Sequence, residues 1–98
     1  MRYTIGDFMF DFNLTDELKV ILHKLSKKDR KKVDIINKKI KEIINCDHQN
    51  IDHYKNLRYG QKHLKRVHIN GSFVLTFSVN KERNFILFVD FDHHDNIY

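Results

Sequence analysis

A chain of 98 residues has room for one domain, expected here over residues 1–98, built on a single hydrophobic core. Its 18 Lys and Arg against 13 Asp and Glu leave a formal charge of +5, with seven histidines besides. That balance suits a polyanionic partner, because cationic side chains release counterions from phosphate. The single cysteine, Cys46, excludes an internal disulfide framework, and no stretch approaches the roughly 20 apolar residues of a membrane helix. Arg2, Asp7 and Asp11 interrupt any signal-peptide run, so the expected setting is a reducing cytoplasm with no membrane partner.

Phe8, Phe10 and Phe12 alternate with Met9 and Asp11, a period of two that predicts an opening strand. Asn13 or Thr15 then caps a helix with Asp16 and Glu17 in its first turn, where negative charge meets the positive end of the helix dipole. Leu14, Leu18, Ile21, Leu22 and Leu25 give that helix one apolar stripe. Ser26 followed by Asp29 reads as a capping box that restarts the helix, and Val33, Ile36, Ile40, Ile43 and Ile44 extend the stripe to about Cys46. Residues 47–63 read as a polar connection. From Leu64 the period becomes two again: a strand Leu64–Ile69, a hairpin turn at Asn70-Gly71, a strand Ser72–Val79, a turn Asn80–Asn84 and a last strand Phe85–Asp92. The predicted class is α+β, in the order β-α-α-β-β-β, with a helical hairpin on one face of an antiparallel sheet.

Strict alternation assigns the faces. Phe73, Leu75, Phe77 and Val79 join Phe85, Leu87, Val89 and Phe91 toward the core, with Val67 and Ile69. Arg66, His68 and Asp92 fall on the opposite face, and His94 just beyond the last strand is expected to converge with them. Val74, Ile86 and Phe88 would then form an apolar patch on that open face, suited to docking a partner's helix or strand. From His53 to His68 the chain interleaves Lys55, Arg58, Lys62, Lys65 and Arg66 with Tyr54 and Tyr59 and carries no acid, the pattern of surfaces that bind single-stranded nucleic acid. Asp92-His93-His94-Asp95 contains metal-ligand residue types, but consecutive strand residues point to opposite faces, so no metal or cofactor is expected.

The run from Leu64 through His68, Gly71 and Phe73 to Phe77, the tail His94-Asp-Asn-Ile-Tyr98 and the upstream Tyr54-Lys55-Asn56-Leu57 resemble the RelE/ParE toxin superfamily of toxin–antitoxin systems. The resemblance covers nearly the whole chain and lies in order and spacing. It is strongest to the YafQ-type branch, in which a strand histidine and a histidine four residues before a terminal aromatic take part in RNA cleavage; His68, His94 and Tyr98 match those positions. Three positions depart from the pattern. Val74 stands where RelE-type members usually have Arg, and Ser72 and Arg66 stand where the YafQ branch has acids.

The resemblance implies a ribosome-dependent mRNA endonuclease that inhibits translation, contacts ribosomal RNA and mRNA in the ribosomal A site, and is silenced in a hetero-oligomer with a RelB-like antitoxin. Metal-independent cleavage needs a base for the ribose 2′-OH, an acid for the 5′-oxygen and cations for the phosphorane. The expected catalytic residues are His94, His68, Arg66 and Tyr98, with Lys55, Arg58, Lys62 and Lys65 on the RNA. The alternatives are a ParE-like gyrase inhibitor of the same fold, which has no need of paired histidines, and a plain binding module.

Overall fold

The computed structural model describes residues 9–57 and 63–96. Phe8 of the predicted first strand lies outside them. In chain order it contains β1 (Asp11–Leu14), α1 (Asp16–Lys28), α2 (Arg30–Ile44), a 3₁₀ turn (Asn50–His53), β2 (Leu64–Ile69), β3 (Phe73–Asn80), β4 (Phe85–His93) and a closing 3₁₀ turn (His94–Asn96). This is the predicted α+β order.

Local chemistry explains most boundaries. Thr15 caps α1, its hydroxyl accepting from the Leu18 N–H at 3.2 Å, with Asp16 and Glu17 in the first turn and Lys27 and Lys28 in the last. The break between helices falls at Asp29, whose carboxylate accepts from the Lys32 N–H at 3.1 Å, and not at the predicted Ser26. Ser26 instead donates back to the His23 carbonyl at 2.6 Å, as mid-helix serines do. Asn70 and Gly71 take φ of 53° and 84°, the left-handed pair a tight hairpin needs.

The sheet order is β1-β4-β3-β2, and two features depart from the sequence expectation. First, the sheet is mixed: β2, β3 and β4 form an antiparallel meander, whereas β1 runs parallel to β4. The helical hairpin carries the chain from β1 across the sheet to its far edge, and alternation within a strand carries no information about its direction. Second, the β3–β4 register shifts by one residue. Thr76 pairs with Asp90, but the next residue, Phe77, pairs with Phe88, which leaves Val89 as a bulge. A one-residue slip exchanges faces. Ile86 and Phe88, predicted on the open face, are therefore fully buried in the core in place of Phe85, Leu87 and Val89. Val74 is buried as well, so the expected apolar docking patch of Val74, Ile86 and Phe88 does not exist as a surface.

The core joins Leu18 of α1 and Ile36, Ile40, Ile43 and Ile44 of α2 to Ile69, Leu75, Phe77, Ile86, Phe88 and Phe91 of the sheet. Phe10 precedes β1 but is buried, its N–H bonded to the Ile44 carbonyl at 3.0 Å and its ring stacked on His48. Helices cover one sheet face. The other carries the polar side chains of β2 and β4.

Candidate functional site

The outer edge of β2 is closed by the segment just after the first 3₁₀ turn. Leu57 donates to the Leu64 carbonyl and Arg66 donates to the Lys55 carbonyl, both at 2.8 Å, so residues 55–57 run beside the strand and satisfy its edge. Between this segment and β2 lies a cleft of about 270 Å³ lined by His53, Tyr54, Lys55, Arg66, Val67 and His68. Two cations and two imidazoles line it, and among the described residues no acid does. A larger hollow on the other side of the loop, about 640 Å³, includes Asp52 and Glu82 and suits an anion less well. Asp52 there hydrogen-bonds Lys81 at 2.7 Å, and chiefly this bond holds its carboxyl below the usual range.

Arg66 and His68 occupy alternate positions of β2 and share the face away from the helices, as the alternation predicts. Their cross-strand rows are Arg66–Thr76–Asp90 and His68–Val74–Asp92. The acids on this face thus sit on β4, two strand spacings or roughly 10 Å from the basic edge. Both are committed locally: Asp90 accepts from the Phe91 N–H at 2.8 Å, and Asp92 accepts from the His93 N–H at 2.7 Å and from Asn96 at 3.2 Å. The face is therefore polarised, cationic at the β2 edge and acidic toward β4.

Lys65 does not join Arg66. It lies on Phe77's face, and its ammonium donates to the Tyr54 carbonyl at 3.1 Å and Asn56 Oδ1 at 3.0 Å. With a side chain only 14% exposed, it fastens the loop that walls the cleft. Adjacent residues of a strand cannot serve one face.

His94 is the second departure. The chain leaves β4 after His93, and the His94 N–H bonds the Ser72 carbonyl at 2.9 Å, at the hairpin end of the sheet where His68 also lies. Its ring, however, turns to His93, 4.5 Å between centroids, and to Asp95, 3.1 Å from Nδ1. Among the described residues His94 makes no contact with His68. His94 does lie just beyond the last strand, as expected, but a 3₁₀ turn begins there and carries its side chain to His93 and Asp95. Arg58, Lys62 and Tyr98 lie outside the described residues. His53, a cleft residue that reads in sequence as an ordinary surface histidine, could have been found from the short segment after it, which is able to pair with an open strand edge.

Tyr54 packs edge-to-face on Phe77, with centroids 5.5 Å apart. Burial, then the Cys46 thiol and the Glu42 carboxylate, push its phenol up to about 12. It is a neutral hydroxyl at any working pH.

The architecture is shared with known proteins. A chain of the crystal structure of the toxin–antitoxin complex RelBE2 from Mycobacterium tuberculosis superposes with a TM-score of 0.55 at 18% identity, covering 84% of this chain and 94% of that one. The solution structure of the conserved hypothetical protein HP0892 from Helicobacter pylori gives 0.57 at 17%, covering 89% and 97%. No family model matches the chain. Sequence relatives are nearer. A Methanocaldococcus jannaschii protein named "Putative toxin RelE4" is 51% identical over 90 residues, 92% of each chain. An uncharacterised Methanosarcina mazei protein is 42% identical over 90 residues, 92% of this chain and all of its own. The 51% identity to a protein named as a RelE toxin, over nine-tenths of both chains, gives the class: a toxin of toxin–antitoxin type. The chain belongs to the RelE/ParE toxin superfamily.

Proposed function

We propose that this toxin is an mRNA endonuclease acting in the ribosomal A site, and that a RelB-like antitoxin neutralises it in a hetero-oligomer. The observation that carries this reading is the cleft at the β2 edge, in which Lys55 and Arg66 stand beside His53 and His68 with no acid among the described lining residues. A gyrase inhibitor has no use for imidazoles beside a cationic hollow.

In this reading Arg66 and Lys55 receive the scissile phosphate and stabilise the phosphorane's charge. One imidazole removes the ribose 2′-OH proton; the 2′-oxygen attacks phosphorus; a second imidazole protonates the departing 5′-oxygen. The products are a 2′,3′-cyclic phosphate and a 5′-hydroxyl. Histidine suits both transfers because its ordinary pKa, about 6.5, lies near working pH. His68 is one of the pair. Base and acid stand on opposite sides of an in-line displacement, so the partner need not touch His68. His94, at the same end of the sheet, is the partner that the resemblance implies, and His53 is the imidazole already on the cleft wall. Tyr98 is assigned to a base of the RNA, and Arg58 and Lys62 to its backbone.

Expression in cells with mapping of mRNA ends tests the reading. Wild type is expected to arrest growth and leave new cuts inside translated codons. His68→Ala and Arg66→Ala should each lower cleavage by about 10²-fold or more. Comparing His94→Ala with His53→Ala identifies the second proton-transfer group, since only one should match the loss at His68. Growth arrest with intact mRNA would overturn the nuclease and make gyrase the target to assay.

A further inference from the structure

The closing turn holds a group of side chains that the cleft does not use. We propose that His93, His94 and Asp95 bind a divalent transition-metal ion of the zinc type, and that occupancy withdraws His94 from RNA cleavage. The second half rests on the nuclease reading above; the first does not.

The geometry comes from the end of β4. Within a strand, neighbouring residues diverge, but the 3₁₀ turn at His94–Asn96 begins directly after His93 and folds the next two side chains back beside it. Asp95 then bridges both imidazoles, with Oδ2 3.3 Å from His93 Nδ1 and Oδ1 3.1 Å from His94 Nδ1. One candidate ligand atom from each of the three residues falls within 4.8 Å of the others. Tetrahedral zinc, with bonds of about 2.0–2.1 Å to nitrogen and oxygen, spaces its ligand atoms roughly 3.3 Å apart. The two imidazole–carboxylate distances, one to each oxygen of Asp95, are already of that size, and the 4.8 Å limit on the set leaves the ligand atoms little to move. Imidazole and carboxylate are the donors that borderline divalent ions accept.

The ligands are also held. His93 packs edge-to-face on Phe73 at 5.6 Å, and Phe73 in turn stacks on Phe91. The Ser72 carbonyl ties down the His94 backbone, and Asp92 binds the turn through the His93 N–H and the Asn96 amide. The Asp95 N–H donates to His93 Nδ1 at 3.2 Å, which aims that nitrogen's lone pair into the turn, where an ion would take it over. All three side chains are accessible, between 40% and 72% exposed, so an ion can enter and its remaining positions can be filled by water. An ion held here occupies the His94 nitrogen and removes that ring from proton transfer.

The test uses tag-free chain, so that no added histidines compete. Zinc titration followed by calorimetry and by histidine ring NMR signals is expected to show one equivalent bound, with His93 and His94 perturbed together. Asp95→Asn, an exposed and mild change, and His93→Ala should each weaken binding by more than about tenfold, at least the loss seen when an outer partner of a metal ligand is removed. Undiminished affinity in both variants, or no zinc bound by the wild type, would overturn the site. RNA cleavage is then measured with the site saturated: a tenfold or greater slowing is expected in the wild type, reversed by chelation and absent in Asp95→Asn. Full cleavage at saturation would overturn the regulatory half. A chain that cuts no RNA even without zinc would count against the nuclease reading and leave the binding result standing.

Discussion

Among the described residues, Tyr54 is the one whose chemistry departs furthest from its ordinary value. It lies where the cleft wall meets the core, with Phe77 on one side and Cys46 and Glu42 near its hydroxyl. Its folded pKa of about 12 exceeds the ordinary value of 10.0. The folded chain therefore keeps this proton where the unfolded chain has lost it. The resulting stability is fully present below pH about 10, falls as pH rises, and is gone above about 12. Thermal unfolding at stepped alkaline pH should show a steeper decline for the wild type than for Tyr54→Phe, with the difference confined to that window. Equal slopes would mean that the phenol is not buried as described. At this scale the sequence was informative about residue type and less so about surroundings. Arg66 and His68 are readable as face-sharing from their spacing, whereas His53 and Lys65 take their places from a loop pairing that no periodicity announces.

The helices and three of the strands follow from apolar spacing and caps; the three strands match their predicted bounds to within a residue, and the break between the helices falls three residues later than predicted. What the pattern misses is one extra residue. Val89 bulges from β4, and its carbonyl accepts a hydrogen bond from the Thr15 hydroxyl at 2.7 Å, while the Thr15 N–H donates to the Phe88 carbonyl at 2.9 Å. The residue that starts α1 thus also stabilises the bulge that turns Ile86 and Phe88 inward. Two substitutions separate the buried assignment from the surface patch that strict alternation predicts. Phe88→Ala should cost about 3–5 kcal/mol in denaturant unfolding, the range for emptying an aromatic core site, where a surface phenylalanine would cost little. Thr15→Val should cost about 1–3 kcal/mol, because a part-buried carbonyl loses its donor and the helix its cap. A bulge is invisible to alternation because the sequence on either side of it still alternates; only the partner strand shows the slip.

On the scale of the whole molecule, charge and hydropathy read from sequence indicated one basic α+β domain, and a relative 51% identical supplies its family. They gave no sign that β1 would run parallel to β4, because that pairing joins segments more than seventy residues apart. The strand nearest the end of the chain is an inner strand of the sheet, flanked by β1 and β3. A chain ending at Asn84 would leave β1 with no neighbour and the core without Ile86, Phe88 and Phe91. Such a truncation is expected to show no cooperative unfolding transition by circular dichroism; a cooperative transition would show that the meander and helices fold without it. The order has a further meaning during synthesis. Non-local pairings close last, so the protein cannot assemble its sheet until Phe85–His93 has been made. A growing chain therefore lacks its closed core, and with it the platform that carries β2, until that segment is available.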